Sequence, residues 1–242
     1  MTPRFFIPSP LAVGRELALP GNAAHHASAV LRLRSGDAVT LFDGNGGEYA
    51  ARIERIAGRA VDVRVAELRA SERESPLAVT LTQAIIAAER MDYVIQKAVE
   101  LGAAAIVPVA AARGVTRLEG DRAARRVEHW RQIAIASCEQ CGRNRVPPVE
   151  APSSLSDWLR RPPKAKTRLL LTPMAAASLA NLVPGDSIEL LIGPEGGFSA
   201  EEEAAAQAAG FRAIRAGPRI LRTETAGPAM LAAMNALWGD WR

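Results

Sequence analysis

Most of the features that would take this chain out of ordinary globular chemistry are missing or scarce. It holds two cysteines in 242 residues, Cys138 and Cys141, too few for a disulfide framework and suited to a reducing compartment. A zinc site needs four ligands, and neither a second Cys-x-x-Cys nor a histidine pair lies near these two, so no metal is expected. No apolar run approaches the ~20 residues of a membrane helix. The longest charge-free stretch, 169–185, is interrupted by Pro173, Asn181 and Pro184, and no membrane association is expected. The opening MTPRFFIPSPLAVGRE lacks the apolar core and small-residue cleavage site of a secretory signal, which predicts a cytoplasmic protein. Internal repeats, a Gly-Lys-Ser/Thr phosphate loop and a GxGxxG fingerprint are also absent.

What is present is 48% hydrophobic and 23% charged residues, enough for one large domain or two smaller ones. The net charge of +4 is unevenly spread. Residues 113–145 hold eight arginines (113, 117, 122, 125, 126, 131, 143 and 145) against Glu119, Asp121, Glu128 and Glu139, a local excess of 8 − 4 = +4. Arg160, Arg161, Lys164, Lys166 and Arg168 form a second basic cluster, whereas 186–242 carry eight acids against five arginines. Focused positive charge suits a polyanion, although an ordinary solvated helix face has the same composition. On the polyanion reading, Arg32, Arg34, Arg122, Arg125, Arg126 and Arg143 are the candidate contacts to it.

Residues 1–70 read as short strands at 16–19, 38–42, 48–53 and 60–65, with one helix near 22–33. Their punctuation, Pro20-Gly21-Asn22, Ser35-Gly36-Asp37 and 43–47 (DGNGG), is turn chemistry. Short strands so spaced predict a small β-barrel. The charged stretch 66–77 closes this region and places a linker at 71–77. From 78 to 242, apolar runs at 78–86, 103–109, 168–172, 187–192 and 211–216 alternate with helical stretches at about 90–101, 121–140, 199–209 and 224–238. That rhythm predicts an α/β domain with a parallel sheet covered on both faces. In the second helix Val127, Trp130, Ala134, Ser137 and Cys141 share one face, mostly core, and His129 is expected in solvent, as are His25 and His26 on the earlier helix. Met230, Leu231, Met234, Leu237 and Trp238 give the last helix a wide apolar surface, which suggests a partner subunit.

Two loops carry chemistry. In LLIGPEGGFSAEEEAAA a strand ends at Ile192, glycines follow, and Ser199 with Glu202 forms a capping box. Glycines at the carboxyl end of a parallel strand let backbone amides approach a ligand, while a plain tight turn is the plainer reading. Three acids at 201–203 disfavour a nucleotide triphosphate there. In AGPRILRTETAGPAM, residues 216–230, polar groups crowd between a strand end and an apolar helix. An N-cap by Thr223 or Thr225 accounts for one of them.

Together, IGPEGGFSAEE and GPRILRTETA resemble the cofactor motifs of SPOUT-class methyltransferases that act on uridine N3 in 16S ribosomal RNA. RFFIP (4–8), HHASAVLRLRSGD (25–37), LFDG (41–44), ESPL (74–77), DYVIQKAVELGAAAIVP (92–108) and WRQIAIASCEQCGRNRVP (130–147) continue the resemblance in order along essentially the whole chain. The resemblance implies an N-terminal PUA-like barrel that helps hold RNA, a C-terminal α/β domain (78–242) with a trefoil knot, S-adenosylmethionine folded into the knot loops, and a homodimer. Carried over by position, the cradle is Leu171, Thr172, Gly193, Pro194, Glu195, Gly196, Ala216, Gly217, Ile220, Leu221, Arg222 and Thr225. The chain departs from the pattern at Ala216, where a larger aliphatic residue is usual, and at Gly227-Pro228. Backbone contacts survive both changes, and proline is tolerated near a helix start.

Methylation at N3 requires loss of an imide proton and stabilisation of an anion spread over two carbonyl oxygens. Arg222, always charged and rich in donors, is the candidate for stabilising it. Glu224 is the nearest carboxylate and a candidate base, with Glu195 the alternative; either instead orients Arg222 or a loop. Two other readings are a non-catalytic RNA-assembly protein, disfavoured by intact motifs, and a nucleotide-dependent metabolic enzyme, which needs neither barrel nor arginine clusters.

Overall fold

The computed structural model describes residues 2–114 and 120–241; Arg117 and Glu119 of the charge count lie outside them. The chain forms two compact units, one of residues 1–74 and 135–146, the other of 75–134 and 147–242. The expected division at 1–70, 71–77 and 78–242 misses the return of 135–146, because charge and turn composition mark where a chain leaves a unit and carry no sign of where it comes back.

The first unit is a five-stranded sheet ordered β1-β3-β4-β5-β2, with β1 at Arg4–Phe6, β2 at Glu16–Ala18, β3 at Ala38–Phe42, β4 at Glu48–Ala57 and β5 at Ala60–Arg69. β1 runs parallel to β3, and the other pairs are antiparallel. In β5, Val61, Val63 and Val65 are buried while Arg64 is exposed, the period of two that a sheet with one covered face imposes. Both β4 and β5 outrun their expected ends by four residues (53 to 57 and 65 to 69), since cross-strand pairing extends polar residues that have no apolar alternation. α1 (Gly21–His25) continues as a wider turn over His26–Val30, and His25 and His26 are exposed, as expected. Phe5, Leu41, Ile53 and Val63 centre the core. Glu48 is buried beside Arg4 (2.6 Å) and Arg73 (3.1 Å). Burial pushes its carboxyl up, but the two guanidiniums outweigh this and hold it below the usual range.

The second unit is a six-stranded, wholly parallel sheet ordered β11-β9-β10-β6-β7-β8. Its elements are β6 (Ala78–Ala84), α2 (Ala88–Glu100), β7 (Ala105–Ala110), α3 (Gly120–Cys141, whose last residues belong to the first unit), β8 (Ser153–Ser154), α4 (Leu155–Leu159), β9 (Thr167–Leu171), β10 (Ser187–Ile192), α5 (Ala200–Ala208), β11 (Arg212–Ile214) and α6 (Thr223–Trp238). Leu190 and Leu191 point to opposite faces of β10, and both are fully buried, so both faces of the sheet are covered as the continuous apolar runs predicted. The short β8 and α4 had no periodic signal to announce them. On one face Trp158 and Phe211 enclose the guanidinium of Arg168, 4.2 Å from the Phe211 ring centre and bonded to buried Glu189 at 2.6 Å.

Two expectations change here. Val127, Trp130, Ala134 and Ser137 are buried as predicted, but His129 is not simply solvated: its Nε2 lies 2.8 Å from the Asp92 carboxylate, which also accepts from Trp130 Nε1 at 3.2 Å. In α6, Met230, Leu231 and Met234 are core at 2%, 1% and 0% exposure, because α6 packs on α2, β6 and β10 of its own chain. Of the apolar surface expected to need a partner, Leu237 is exposed and Trp238 half-buried.

Candidate active site

A cavity of about 500 Å³ opens where β9 and β10 end, in the size range of small-molecule sites. The end of β9 contributes Leu171 and Thr172; the turn after β10 contributes Gly193, Pro194 and Glu195; the segment before α6 contributes Ala216, Gly217, Ile220, Leu221 and Arg222. Strand pairing brings these segments together: Leu171 sits beside Ile192 on β10 and beside Ile214 on β11.

The glycine turn after β10 is held from three sides. A Cβ at Gly193 would come within 3.2 Å of the Phe198 ring, so any side chain there would press on that ring. The Gly193 carbonyl accepts a 2.6 Å bond from Thr223 Oγ1, and the same hydroxyl accepts from buried Gln83 Nε2 at 3.1 Å. Arg113 donates to the Gly196 carbonyl at 3.0 Å. The predicted capping box is present, Ser199 Oγ accepting from Glu202 N and Glu202 from Ser199 N. Glu202 further accepts from Ala112 N at 2.7 Å, tying α5 to the end of β7.

Neither threonine caps α6. Arg222 is the N-cap residue, without a side-chain capping bond, Thr223 is committed to Gly193, and Thr225 is exposed. Gly196 and Thr225, assigned to the cradle by sequence, are outside the cavity lining: Gly196 turns towards Arg113, and Thr225 is exposed between Glu224 and Ala226, which both line it. Pro228 sits well inside α6 rather than in its first turn, and removes the N–H that would close on the Glu224 carbonyl. Gly227 packs closely, since a Cβ there would touch the Leu81 side chain at 3.4 Å.

Charge converges on one wall. Arg90 of α2 donates to Glu195 at 3.0 Å, and its Nε stands 4.0 Å from Glu224 Oε1. Arg222 Nη1 stands 4.0 Å from the same oxygen while its own side chain is 81% exposed. Glu224 is largely enclosed at 16%, and among the described residues its Oε2 is buried without a hydrogen-bond partner. Arg219 and Thr223, two of the crowded polar groups of 216–230, line the cavity, as do Arg90 and Phe198, which were not among the expected site residues. For Arg90 the one local clue is that a cation in the first turn of a helix opposes the helix dipole.

The proposed phosphate contacts divide. Arg32, Arg34, Arg122 and Arg125 are exposed and Arg126 is half-buried. Arg143 is buried, its guanidinium paired with Glu74 at 2.5 Å and 3.1 Å, so it leaves the RNA set: a group already bonded to a carboxylate out of water cannot also serve a phosphate. Cys138 is buried, and that burial pushes its thiol up to about 12.

An RNA methyltransferase domain model matches residues 73–235, and an RNA methyltransferase PUA domain model matches 19–66. The chain is 32% identical over 239 residues to the Ribosomal RNA small subunit methyltransferase E of Buchnera aphidicola (subsp. Schizaphis graminum), covering 98% of this chain and 97% of that one. Among solved structures, a Ribosomal RNA small subunit methyltransferase E from Neisseria gonorrhoeae bound to S-adenosyl methionine is 41% identical, with a TM-score of 0.94 over 100% of both chains. A putative methyltransferase from Legionella pneumophila in complex with S-adenosylmethionine is 38% identical, with a TM-score of 0.95 over 99% of both.

Proposed function

The chain belongs to the Ribosomal RNA small subunit methyltransferase E family, and on that premise we propose that it methylates N3 of a uridine in the 16S ribosomal RNA of the small subunit. It is an S-adenosylmethionine-dependent enzyme. The observation that carries the reading is the convergence of both glycine loops on one cavity at the carboxyl ends of β9 and β10, where open α/β sheets place ligands.

The residues fit the cofactor. The cavity is large enough for an adenosyl group, a side chain at Gly193 would crowd the Phe198 ring, and Gly217 takes the left-handed conformation (φ 79°) that favours glycine. Leu171, Thr172, Gly193, Pro194, Ala216, Gly217, Ile220 and Leu221 hold it. Its sulfonium supplies an electrophilic methyl group without help from a metal. Glu224 takes the N3 proton: Oε2 is buried and unpartnered, whereas Glu195 is engaged by Arg90. Arg222 stabilises the anion on the imide oxygens. Its exposed side chain leaves it free to turn to the base, and holding the reactants in place supplies much of the remaining acceleration.

Arg122, Arg125 and Arg126 on α3, with Arg32 and Arg34 of the first unit, contact RNA phosphates. The first unit closes as a PUA-like barrel, and the loops of the second thread a trefoil knot, a rare exception to unknotted connectivity. The protein acts as a homodimer, with Leu237 (44% exposed) and Trp241 (55%) contributing to the contact; sedimentation of a micromolar sample as a monomer would refute this.

The test is to incubate the protein with small ribosomal subunits and labelled S-adenosylmethionine and to map the product. One N3-methyluridine in 16S RNA is expected. Label in another nucleoside, or none, overturns the reading.

A further inference from the structure

We infer that Arg90 is a positioning residue for methyl transfer, the group that sets Glu195 and Glu224 in their reacting arrangement; this rests on the function proposed above. Arg90 occupies the third position of α2, where a positive charge faces the positive end of the helix dipole and is disfavoured. Glu89, its neighbour, is the residue that the dipole favours there. Helix stability therefore gives no reason for an arginine, and its surroundings do.

The Arg90 guanidinium lines the cavity between two carboxylates from different segments. Nη1 donates to Glu195 Oε1 at 3.0 Å, and Nε lies 4.0 Å from Glu224 Oε1. Glu195 belongs to the turn after β10 and Glu224 to the first turn of α6. One planar fork thus spans the two loops that form the cavity, which a lysine's single ammonium cannot reproduce. By attracting Oε1, Arg90 holds the Glu224 carboxylate so that Oε2 keeps its buried, unpartnered place.

Proton transfer makes the arrangement useful. When N3–H gives its proton to Glu224 Oε2, the O–H bond formed replaces the N–H bond broken, and one negative charge leaves the carboxylate for the imide. Arg222, until then shared with Glu224 at 4.0 Å, is released towards the new anion. Arg90 stays fixed by Glu195, so the loops do not shift as the charge moves.

The test compares wild type with Arg90→Gln, Arg90→Lys, Glu195→Gln, Glu224→Gln and the double variant Arg90→Gln/Glu224→Gln. Calorimetry gives cofactor affinity, and single-turnover methylation of small subunits at saturating cofactor gives the rate. Arg90→Gln should lower the saturated rate about 30-fold, with cofactor affinity changed less than about threefold, a loss equivalent to about 2 kcal/mol. Arg90→Lys should recover little of it, and Glu195→Gln, which removes the charge from the same pair, should give a smaller loss of the same kind. In the Glu224→Gln background, Arg90→Gln should cost less than about threefold, because the group it positions is already disabled. Retained cofactor binding shows that each variant is folded. Near wild-type turnover in Arg90→Gln, full rescue by lysine, or additive losses in the double variant would overturn the inference while leaving the proposed function intact. An inactive wild type would instead overturn the proposed function.

Discussion

Replacing Thr223 by valine tests whether the glycine turn is held as described. Valine keeps the shape and the β-branch and removes the hydroxyl, so two hydrogen bonds are lost: Thr223 to the Gly193 carbonyl at 2.6 Å and Gln83 to Thr223 at 3.1 Å. Thr223 is 6% exposed and Gln83 0%, so water cannot easily replace either partner. Gln83 keeps its bond to the Ala84 carbonyl, but the donor that faced Thr223 is stranded, as is the Gly193 carbonyl. A net hydrogen bond is worth ~1 kcal/mol, and a buried group left without a partner costs ~1–3 kcal/mol. The two losses together should destabilise the protein by about 2–3 kcal/mol, lowering the melting temperature by about 4–12 °C for a chain of this size. Thr223→Ser keeps the hydroxyl and should retain most of that stability. The measurement is thermal and urea unfolding of the cofactor-free protein, followed by calorimetry with S-adenosylmethionine, whose affinity should fall in the valine variant and hold in the serine one. A valine variant within about 0.5 kcal/mol of wild type, the spread of neutral surface changes, would show that the Gly193 turn is not held by this hydroxyl.

Four further outcomes follow from the same geometry. Arg222→Ala and Arg222→Lys should each cut turnover by about 10²–10³, the cost of losing one anion-stabilising donor, with modest loss of cofactor affinity; near wild-type turnover at saturating substrates would shift that role elsewhere. Replacing Arg122, Arg125 and Arg126 together by alanine should flatten the salt dependence of RNA binding by about 2 in log–log slope without affecting cofactor binding. Arg168→Met leaves Glu189 as an uncompensated charge where both partners are under 10% exposed, and should cost about 3–5 kcal/mol in unfolding experiments. With its thiol pushed up to about 12, Cys138 is almost wholly protonated at pH 8. Mass spectrometry should therefore find it unalkylated in the native protein and modified once urea exposes it.

What the sequence settled by itself was local. Strands at Ala38–Phe42 and Ser187–Ile192, the Ser199–Glu202 capping box and the buried stripe of α3 all follow from residues within a turn or two of each other, where spacing alone decides which side chains share a face. Ten of the twelve cradle positions expected from the resemblance also line the cavity, half of its twenty lining residues. Tertiary structure decided which distant groups became partners. An arginine in a basic segment reads the same whether it meets a phosphate or a carboxylate; Arg143 meets Glu74, 69 residues away. Methionines on a terminal helix read the same whether a second subunit or the chain's own sheet covers them; Met230 and Met234 are covered from within. Arg90 reads as one charge on an amphipathic helix until β10 and α6 bring Glu195, 105 residues on, and Glu224 to either side of it. Burial and ion pairing depend on which segments pack together, and that is a property of the folded chain as a whole rather than of any stretch within it.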